Sequence, residues 1–418
     1  MPMTRIGILG FGTVGQQVYR ILQEERDAIA GKTGHSLMVH AVLVRDKTKE
    51  RAIECGCLTT DPDAILKNKD IEVVVEVMGG VETARDHVLA ALRAGKHVVT
   101  ANKALLSAHL PTLIAAAKEA KVGLAFEASV AGCVPVIRTL QEAMVSERLR
   151  KIYGIVNGTT NYILTRMEEG SNYKGALFEA QEKGYAEAEP SFDVDGHDAA
   201  QKLSVLIAVG YGLFVPGKAI FTEGITRVAR EDMMYAKKLG RVIKLLAIAT
   251  HEQGVLQARV HPVMLPESHF LASVRHENNA LFLEASNVGE MTLIGKGAGG
   301  APTASAVVSN ILDVLSGHCN VSLTTQVPVM PMQEAAFEYY LRHTVLDTPG
   351  VLHKISGILA EHNISIADVV QVGRNEDEPI PLIIRTHLSK EKAMMDALHK
   401  IDALDVVKDA TVLIRNEG

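Results

Sequence analysis

The chain is poor in cysteine. Its 418 residues include four, Cys55, Cys57, Cys133 and Cys319. Four dispersed cysteines are too few for a disulfide framework, which indicates a reducing compartment. Cys55 and Cys57 have no second pair of ligands at a zinc-binding spacing, so a zinc site is not expected.

The chain also lacks long apolar runs and blocks of a single charge. Its 43 Lys and Arg and 49 Asp and Glu residues are scattered and give a formal net charge of −6, so neither nucleic acid nor an anionic membrane is expected as a partner. The longest apolar run, near residues 203–215, is too short to cross a bilayer. Because the N-terminus shows no signal-peptide pattern, we expect a cytoplasmic protein that binds small molecules and copies of itself.

A glycine-rich turn follows the first apolar strand, which is expected over residues 5–9. The turn consists of Gly10, Phe11, Gly12, Thr13, Val14 and Gly15. A strand before it and a helix after it are the context that a dinucleotide-binding fingerprint requires. The glycines permit the tight turn, the approach of backbone to a pyrophosphate, and close helix–strand packing. The turn therefore predicts NAD(P) binding, with the phosphates at the helix N-terminus.

The residue after the second strand bears on which dinucleotide is bound. This strand is expected over residues 39–44, and Arg45, Asp46 and Lys47 follow it. NAD-binding proteins usually carry an acid near this point, whereas a guanidinium can hold a 2′-phosphate by charge-assisted hydrogen bonds. Arg45 thus favours NADP(H), and Asp46 keeps NAD(H) as the alternative.

Strand and helix patterns continue to alternate. Strands are expected over residues 71–77, 97–100 and 123–128, and helices over 82–94 and 110–120. This alternation predicts an α/β fold with a doubly wound parallel sheet of the Rossmann type. Thr100 ends a strand and Lys103 follows it at the sheet edge where ligands gather, so both are expected near the cofactor. Lys103 is also a candidate catalytic residue, although a lysine in such a loop is often only solvated.

An acidic stretch that ends in a lysine lies in the middle of the chain and reads GYAEAEPSFDVDGHDAAQK. Its Asp198 and Lys202 are four residues apart, so on a helix they share a face and can pair. The apolar helix expected over residues 203–215 draws Lys202 towards the interior, where a charge needs a partner. With Glu187 and Asp193, this pair can hold an ammonium-bearing substrate and move a proton. The alternative is a solvated acidic loop that caps an ordinary helix.

Two further turns precede helices. The turn from Asn157 to Asn161 is rich in hydroxyls and amides and suits a substrate carboxylate, or it is simply a good helix start. Gly297 belongs to a second glycine cluster, residues 295–300. That cluster either closes over the nicotinamide or only lets the chain turn back to the first domain.

The last part of the chain has an organisation of its own. Residues 321–337 carry prolines and methionines and are expected to be a linker. Residues 338–418 then follow the order βαββαβ, which predicts a split β-α-β sandwich. We therefore expect an NAD(P)-binding domain over residues 1–130, completed by about 305–325. An α+β substrate-binding, catalytic and dimerisation domain is expected over 131–310, before the linker and the C-terminal domain.

Together these motifs resemble the bacterial homoserine dehydrogenases that carry a C-terminal ACT domain. The resemblance rests on the glycine turn, the ANK and NGTTNYIL turns, the spacing from Ala180 to Lys202, and the DTPGVL turn at Asp347. Glu189 departs mildly from the Asp, Asn or Ser that usually precedes the proline. The resemblance implies reversible reduction of L-aspartate 4-semialdehyde to L-homoserine with NAD(P)H, on the pathway to threonine, methionine and isoleucine.

The resemblance also implies roles for individual residues. Lys202 and Lys103 flank the reacting oxygen and Asp198 orients Lys202, which we prefer as the proton donor. The substrate ammonium and carboxylate are expected at Glu187 and Asp193 and at Gly158 and Thr159, respectively. A monovalent cation, Na+ or K+, is expected at Glu127 and the carbonyl groups of Val130, Gly132 and Val134. Threonine is the expected effector, bound by Asp347, Gly350 and Leu352 of one subunit and Asn363 and Ile364 of another, in a homodimer or homotetramer.

Two rival interpretations remain at this point. One is another NAD(P)-dependent dehydrogenase of an amino-acid aldehyde, because Rossmann domains serve many substrates. The other is a non-catalytic nucleotide or amino-acid sensor, against which the presence of Lys103, Asp198 and Lys202 argues. The ACT segment itself either binds an effector or only assembles subunits.

Overall fold

The computed structural model describes residues 3–319, 321–323, 328–371 and 378–417. Part of the predicted linker, residues 324–327, lies outside the described residues. The chain divides into two compact units. The first comprises Met1–Gly158, His197–Ile220 and Glu277–Val327, and the second comprises Thr159–Gly196, Phe221–His276 and Pro328–Gly418.

Helices and strands both occur throughout the chain. Up to residue 155 they are β1 Met3–Leu9, α1 Thr13–Glu24, α2 Arg26–Thr33, β2 Ser36–Leu43, β3 Leu58–Thr59, α3 Asp63–Leu66, β4 Val73–Glu76, α4 Glu82–Arg93, β5 His97–Thr100, α5 Lys103–Ala120, β6 Leu124–Ala125, α6 Val136–Arg138 and β7 Leu149–Ile155. Up to residue 316 they are α7 Gly158–Glu168, α8 Tyr173–Glu182, α9 Ser191–Val194, α10 His197–Tyr211, β8 Phe221–Thr222, α11 Arg230–Lys238, β9 Arg241–Glu252, β10 Val255–Pro266, β11 Asn278–Ala285, β12 Gly289–Lys296 and α12 Gly300–Ser316. The remainder are β13 Ala336–Phe337, β14 Tyr339–Val345, α13 Val351–Glu361, β15 Ile366–Gln371, β16 Ile380–Thr386, β17 Ser389–Lys390, α14 Glu391–Asp402 and β18 Val407–Asn416.

A six-stranded parallel sheet organises the first unit, in the order β3-β2-β1-β4-β5-β6. Its central strands are almost entirely apolar because helices cover both faces. This strand order confirms the predicted Rossmann-type fold. The register pairs Leu9 with Glu76 and Glu76 with Thr100, so the carboxyl ends of β1, β4 and β5 lie level.

Helix α12 returns to this sheet late in the chain. Its buried residues Ala304, Val307 and Ile311 belong to the same apolar core as Ile6 and Val75. That about residues 305–325 complete the nucleotide-binding domain stays a prediction. The first unit also contains the antiparallel strands β12-β11-β7.

The second unit is built on a long hairpin and the C-terminal βαββαβ segment. Strands β9 and β10 pair antiparallel along their whole length. The sheet continues from β10 through β18, β14 and β16 to β15. Helices α13 and α14 cover the C-terminal strands with a common apolar core, which confirms the predicted βαββαβ order. No helix in the described part of the chain is both long and apolar enough to cross a membrane.

The bounds of helices α5 and α10 differ from the sequence prediction. Helix α5 begins at Lys103, not near residue 110, because the Asn102 side chain accepts a hydrogen bond from the Leu105 N–H and caps it. Pro111 is accommodated inside this helix. Helix α10 ends at Tyr211, before Gly212, whose φ of +68° is left-handed. Lys103 is therefore a helix residue and not part of a loop.

Candidate active site

The glycine turn between β1 and α1 has the geometry of a phosphate cradle. The Gly10 N–H donates to the Leu43 carbonyl at 3.1 Å, and the φ of Gly10 is +104°. A Cβ on Gly10 would lie 2.7 Å from the Met78 backbone, and one on Gly15 would collide with the Gly10 carbonyl. Among the described residues, a Cβ on Gly12 would meet no atom within 4 Å and no side chain caps α1. The turn thus offers open backbone at a helix N-terminus and fits a dinucleotide pyrophosphate.

The other predicted residues of this turn, Phe11, Thr13 and Val14, pack against neighbouring segments. Phe11 is buried and packs edge-on against Tyr19, with ring centroids 5.7 Å apart, so its side chain belongs to the core. Thr13 and Val14 begin α1, and a Cβ on Gly300 would lie 3.0 Å from the Thr13 methyl group. The start of α12 therefore packs against the start of α1.

Arg45 lies just beyond the end of β2, which is the strand that contacts the glycine turn through Leu43. Its side chain is exposed. Asp46 accepts hydrogen bonds from the N–H and the hydroxyl of Thr48, both at 2.7 Å. The Thr48 bonds hold the pKa of Asp46 below its usual value. The exposed Arg45 guanidinium can therefore contact a phosphate, whereas the Asp46 carboxylate already accepts two hydrogen bonds from Thr48.

A buried polar network lies at the carboxyl ends of β4 and β5. The Glu76 carboxylate accepts hydrogen bonds from the Thr100 hydroxyl at 2.6 Å and from the Met78 N–H at 3.0 Å. Burial raises the pKa of Glu76. The Asn102 amide donates to the Gly80 carbonyl at 2.7 Å. Thr100 is fully buried in this network, so its hydroxyl supports the loop before Lys103. Sequence reasoning missed Glu76, for which an acid ending an apolar strand was the available signal.

Two lysines and one aspartate meet at the beginnings of α5 and α10. Lys202 Nζ lies 2.6 Å from Asp198 Oδ2, and Lys103 Nζ lies 2.8 Å from Asp198 Oδ1. The Asn157 amide donates to Asp198 Oδ2 at 2.8 Å, and Lys202 Nζ donates to the Val156 carbonyl at 2.7 Å. The predicted pairing of Asp198 with Lys202 is confirmed. The contact with Lys103 joins residues that are far apart in the sequence.

The electrostatics of this lysine–aspartate cluster favour an ionised aspartate. Burial opposes ionisation of Asp198, but the Lys202 and Lys103 ammonium groups outweigh it, so the pKa of the Asp198 carboxyl lies well below its usual value. Asp198 is 3% exposed, and the Lys202 and Lys103 side chains are 12% and 37% exposed. The cluster therefore presents two ammonium groups, fixed by one carboxylate, that can stabilise a developing oxyanion and supply a proton.

The turn after β7 carries the two residues that were expected near the substrate carboxylate. Gly158 begins α7, and a Cβ there would lie 2.8 Å from the Glu277 carbonyl. The Thr159 hydroxyl donates to the Tyr185 carbonyl at 2.5 Å. Asn161 accepts from the buried Lys244 ammonium at 3.2 Å. Sequence reasoning missed Lys244, which lies within an apolar strand.

Glu187 and Asp193 belong to the second unit. Glu187 is exposed, and Asp193 is half-buried in the short helix α9. The Gly196 N–H donates to the Asp193 carbonyl at 3.0 Å. The expectation that these carboxylates bind the substrate ammonium stays a prediction.

The second glycine cluster packs closely against two other segments of the first unit. A Cβ on Gly297 would overlap the side-chain amide of Asn279, and a Cβ on Gly132 would lie 2.7 Å from the Gly297 carbonyl group. Side chains are thus excluded at both positions. Asn279, which sequence reasoning missed, is buried in β11.

The segment that was expected to bind a monovalent cation is tightly folded. Glu127 accepts hydrogen bonds from the backbone N–H groups of Ile137 and Arg138, both at 2.8 Å. Burial raises the pKa of Glu127 to about 6, against the effect of these two hydrogen bonds. The Val134 carbonyl accepts the Val136 N–H at 2.8 Å. Within the described ranges no three His, Cys, Asp or Glu side chains group as metal ligands, so a cation here would depend on carbonyls such as those of Val130 and Gly132.

The predicted effector residues lie at the two ends of α13. The Gln371 amide donates to Asp347 Oδ1 at 3.1 Å, and Gly350 precedes the helix with a φ of +91°. Leu352 is exposed, and Asn363 has a φ of +57°. Ile364 is buried in the core of the C-terminal segment, so only its backbone remains available to a ligand.

Three family models match successive parts of the chain. The NAD-binding domain of homoserine dehydrogenase matches residues 10–127, homoserine dehydrogenase matches residues 135–312, and the ACT domain matches residues 339–403. These matches cover the glycine turn, the lysine–aspartate cluster and the βαββαβ segment up to residue 403.

Individual relatives match over most or all of the chain. A homoserine dehydrogenase of Corynebacterium glutamicum is 40% identical over 425 residues, which is 99% of this chain and 95% of the relative. The crystal structure of a homoserine dehydrogenase from Thiobacillus denitrificans has a TM-score of 0.92 and 39% identity, and the match covers 100% of this chain and 98% of that one. A hyperthermophilic archaeal homoserine dehydrogenase in complex with NADPH has a TM-score of 0.64 and 28% identity, over 77% of this chain and 100% of that one.

Proposed function

Because the chain belongs to the homoserine dehydrogenase family, we propose that it reduces L-aspartate 4-semialdehyde to L-homoserine with NADPH and catalyses the reverse reaction with NADP+. The observation that carries the proposal is the contact of Lys103 and Lys202 with the single carboxylate of Asp198. Threonine, methionine and isoleucine biosynthesis would use the product. The scarcity of cysteine supports a cytoplasmic location.

The chemistry of the lysine–aspartate cluster suits this reaction. When bound, the nicotinamide ring supplies or accepts the hydride, and the glycine turn of residues 10–15, with Arg45, is proposed to hold the dinucleotide. Lys202 holds the proton and donates it to the aldehyde oxygen, while Lys103 stabilises the negative charge on that oxygen. Asp198 keeps both ammonium groups in place. No metal is needed for this polarisation because a positioned ammonium supplies both charge and proton.

Substrate recognition is assigned from the same motifs. Glu187 and Asp193 would bind the ammonium of L-homoserine, and Gly158 and Thr159 would bind its carboxylate. We propose the domain limits stated from the sequence, with the substrate-binding domain over residues 131–310.

The experiment that tests the function is a coupled absorbance assay of L-homoserine oxidation by the full chain. We expect turnover with NADP+ and little with 2-hydroxy acids that lack the ammonium group. Equal rates with such acids would favour a different dehydrogenase. No turnover with either cofactor would contradict the proposal.

Arg45 is expected to determine the preference for NADP(H). Its exposed guanidinium can form charge-assisted hydrogen bonds with a 2′-phosphate, so Arg45→Ala should weaken NADP+ binding about tenfold and leave NAD+ binding within about twofold. Isothermal titration calorimetry with NADP+ and with NAD+ measures the two affinities. Arg20→Ala is the matched control, since Arg20 is a half-buried arginine paired with Glu24 in α1. An equal loss for both dinucleotides would refute the assignment.

A monovalent cation is proposed at Glu127 and the neighbouring carbonyls, with a pH dependence set by Glu127. The pKa of this buried carboxyl is about 6, so its protonated form predominates below that pH and competes with the cation. The Na+ concentration that gives half of the maximal stabilisation should therefore rise about tenfold when the pH is lowered from about 7 to about 5. Melting temperature against NaCl, with choline chloride as the ionic-strength control, measures it. Glu127→Gln should remove the dependence, and the exposed Glu142→Gln should keep it.

Threonine is proposed as an inhibitor that binds the ACT segment between subunits of a homodimer or homotetramer. Asp347 Oδ2 is buried without a hydrogen-bond partner among the described residues, which leaves an acceptor for the effector. Asp347→Ala should raise the inhibitory threonine concentration at least about tenfold, since a charge-assisted hydrogen bond is lost. The exposed Asp405→Ala in the same segment is the control. Unchanged inhibition in Asp347→Ala would place the effector elsewhere, and light scattering gives the subunit number.

A further inference from the structure

Asn279, in β11, carries a buried side-chain amide. The residue is 1% exposed, and neither Oδ1 nor Nδ2 has a partner in the part of the chain that the structure describes. Native proteins rarely keep such a group unless a role compensates for it. The amide therefore requires an explanation.

The position of Asn279 connects it with the lysine–aspartate cluster. In the antiparallel register Ala280 lies opposite Ile155, and Asn279 lies opposite Gly295. Val156 follows Ile155, and its carbonyl accepts the Lys202 ammonium at 2.7 Å. Asn279 thus lies between the strand end that holds Lys202 and the strand that leads into the second glycine cluster.

The amide lies directly beneath that glycine cluster. A Cβ on Gly297 would overlap the Cγ, Nδ2 and Oδ1 atoms of Asn279. The cluster itself is partly exposed, and its glycines leave the backbone free of side chains that would hold it in place. The backbone of Gly297 thus packs directly against the amide.

We propose that Asn279 is a cofactor-binding residue whose amide recognises the carboxamide of the nicotinamide ring. Hydride transfer requires this ring to lie beside the lysine–aspartate cluster, so the inference rests on the proposed function. Asn279 offers one acceptor and one amino group side by side, and a carboxamide offers the same pair on one carbon. The two amides can therefore form paired hydrogen bonds. A carboxylate would satisfy only Nδ2 and leave Oδ1 buried without a partner.

The test compares NADP+ with its 3-acetylpyridine analogue, in which a methyl group replaces the amide nitrogen. Isothermal titration of the full chain should show that NADP+ binds about tenfold more tightly than the analogue, which corresponds to about 1.4 kcal/mol. Asn279→Ala should weaken NADP+ binding about tenfold and reduce the preference to within about twofold. Asn278→Ala is the matched control, because neighbouring side chains on a strand point to opposite faces.

Two results would overturn the inference. If the unaltered protein binds both dinucleotides equally, Asn279 does not recognise the carboxamide, and this result does not depend on whether any variant folds. If Asn279→Ala weakens the binding of both dinucleotides equally, so that NADP+ is still preferred over the analogue, the role of Asn279 is only structural. Homoserine oxidation by the unaltered protein is measured in parallel, so a failed carboxamide contact is distinguished from a failed functional proposal.

Discussion

Replacing Lys202 by methionine is expected to lower kcat for homoserine oxidation about a thousandfold, because general acid–base groups contribute about a hundredfold to ten-thousandfold. The methionine keeps the length of the side chain and removes the ammonium. Lys103→Met is expected to lower kcat less, by about a hundredfold, because it removes one group that stabilises the developing charge. Steady-state kinetics at saturating cofactor concentration measures kcat of both variants.

Lys118→Met is the matched control for this pair of variants. Lys118 is exposed in the last turn of α5, the helix that Lys103 begins. Cofactor affinity, determined by titration, should stay within about twofold in all three variants, since an altered affinity would shift rates for another reason. A Lys202→Met enzyme that keeps most of its turnover would contradict the assignment. A larger loss in Lys103→Met would exchange the two roles.

Asp198→Asn is expected to lower the free energy of unfolding by about 3 kcal/mol, because two ammonium groups lose their common buried counter-charge. The asparagine amide has almost the same shape as the aspartate carboxylate, so the lost stability is due to the missing charge and not to a change in side-chain volume. Turnover should fall as well, since neither lysine is then held in place. Urea unfolding near neutral pH, with kcat measured in parallel, checks the expectation.

The pH dependence of this loss has a definite sign. The pKa of Asp198 is lowered in the folded protein, so its ionised form stabilises the fold at all pH values above its unfolded pKa of about 3.9. That contribution is lost as the pH falls through the lower, folded pKa. The difference between the unaltered protein and Asp198→Asn should thus be constant from neutral pH to about pH 4 and shrink below it.

Asp63→Asn is the control for the Asp198 variant. Asp63 and Lys67 form an ion pair with the same spacing and the same 2.6 Å distance as Asp198 and Lys202, but both side chains are exposed. Exposed pairs contribute about 0–1 kcal/mol. If the two variants lost equal stability, burial of the cluster would have no energetic consequence and the argument would be wrong.

Local patterns explain why much of the fold could be predicted. The strand His97–Thr100 has the predicted bounds, since it depends on neighbouring residues and flanking turns. Helix α5 was predicted to start too late, because its cap depends on the Asn102 side chain, which the buried network at Glu76 helps to hold. The pairing of Asp198 with Lys202 was predictable because four residues make one helical turn.

Residues close together in the chain specify the glycine turn, the βα alternation, the βαββαβ order and the spacing of Asp198 and Lys202, so these features could be predicted without a structure. Tertiary packing brings Lys103 to the same carboxylate, Thr100 to Glu76, and Asn279 beneath Gly297. These contacts arise where separate strands end at one sheet edge or pair in one register. Their partners are chosen by packing and burial, which no local pattern of residues encodes.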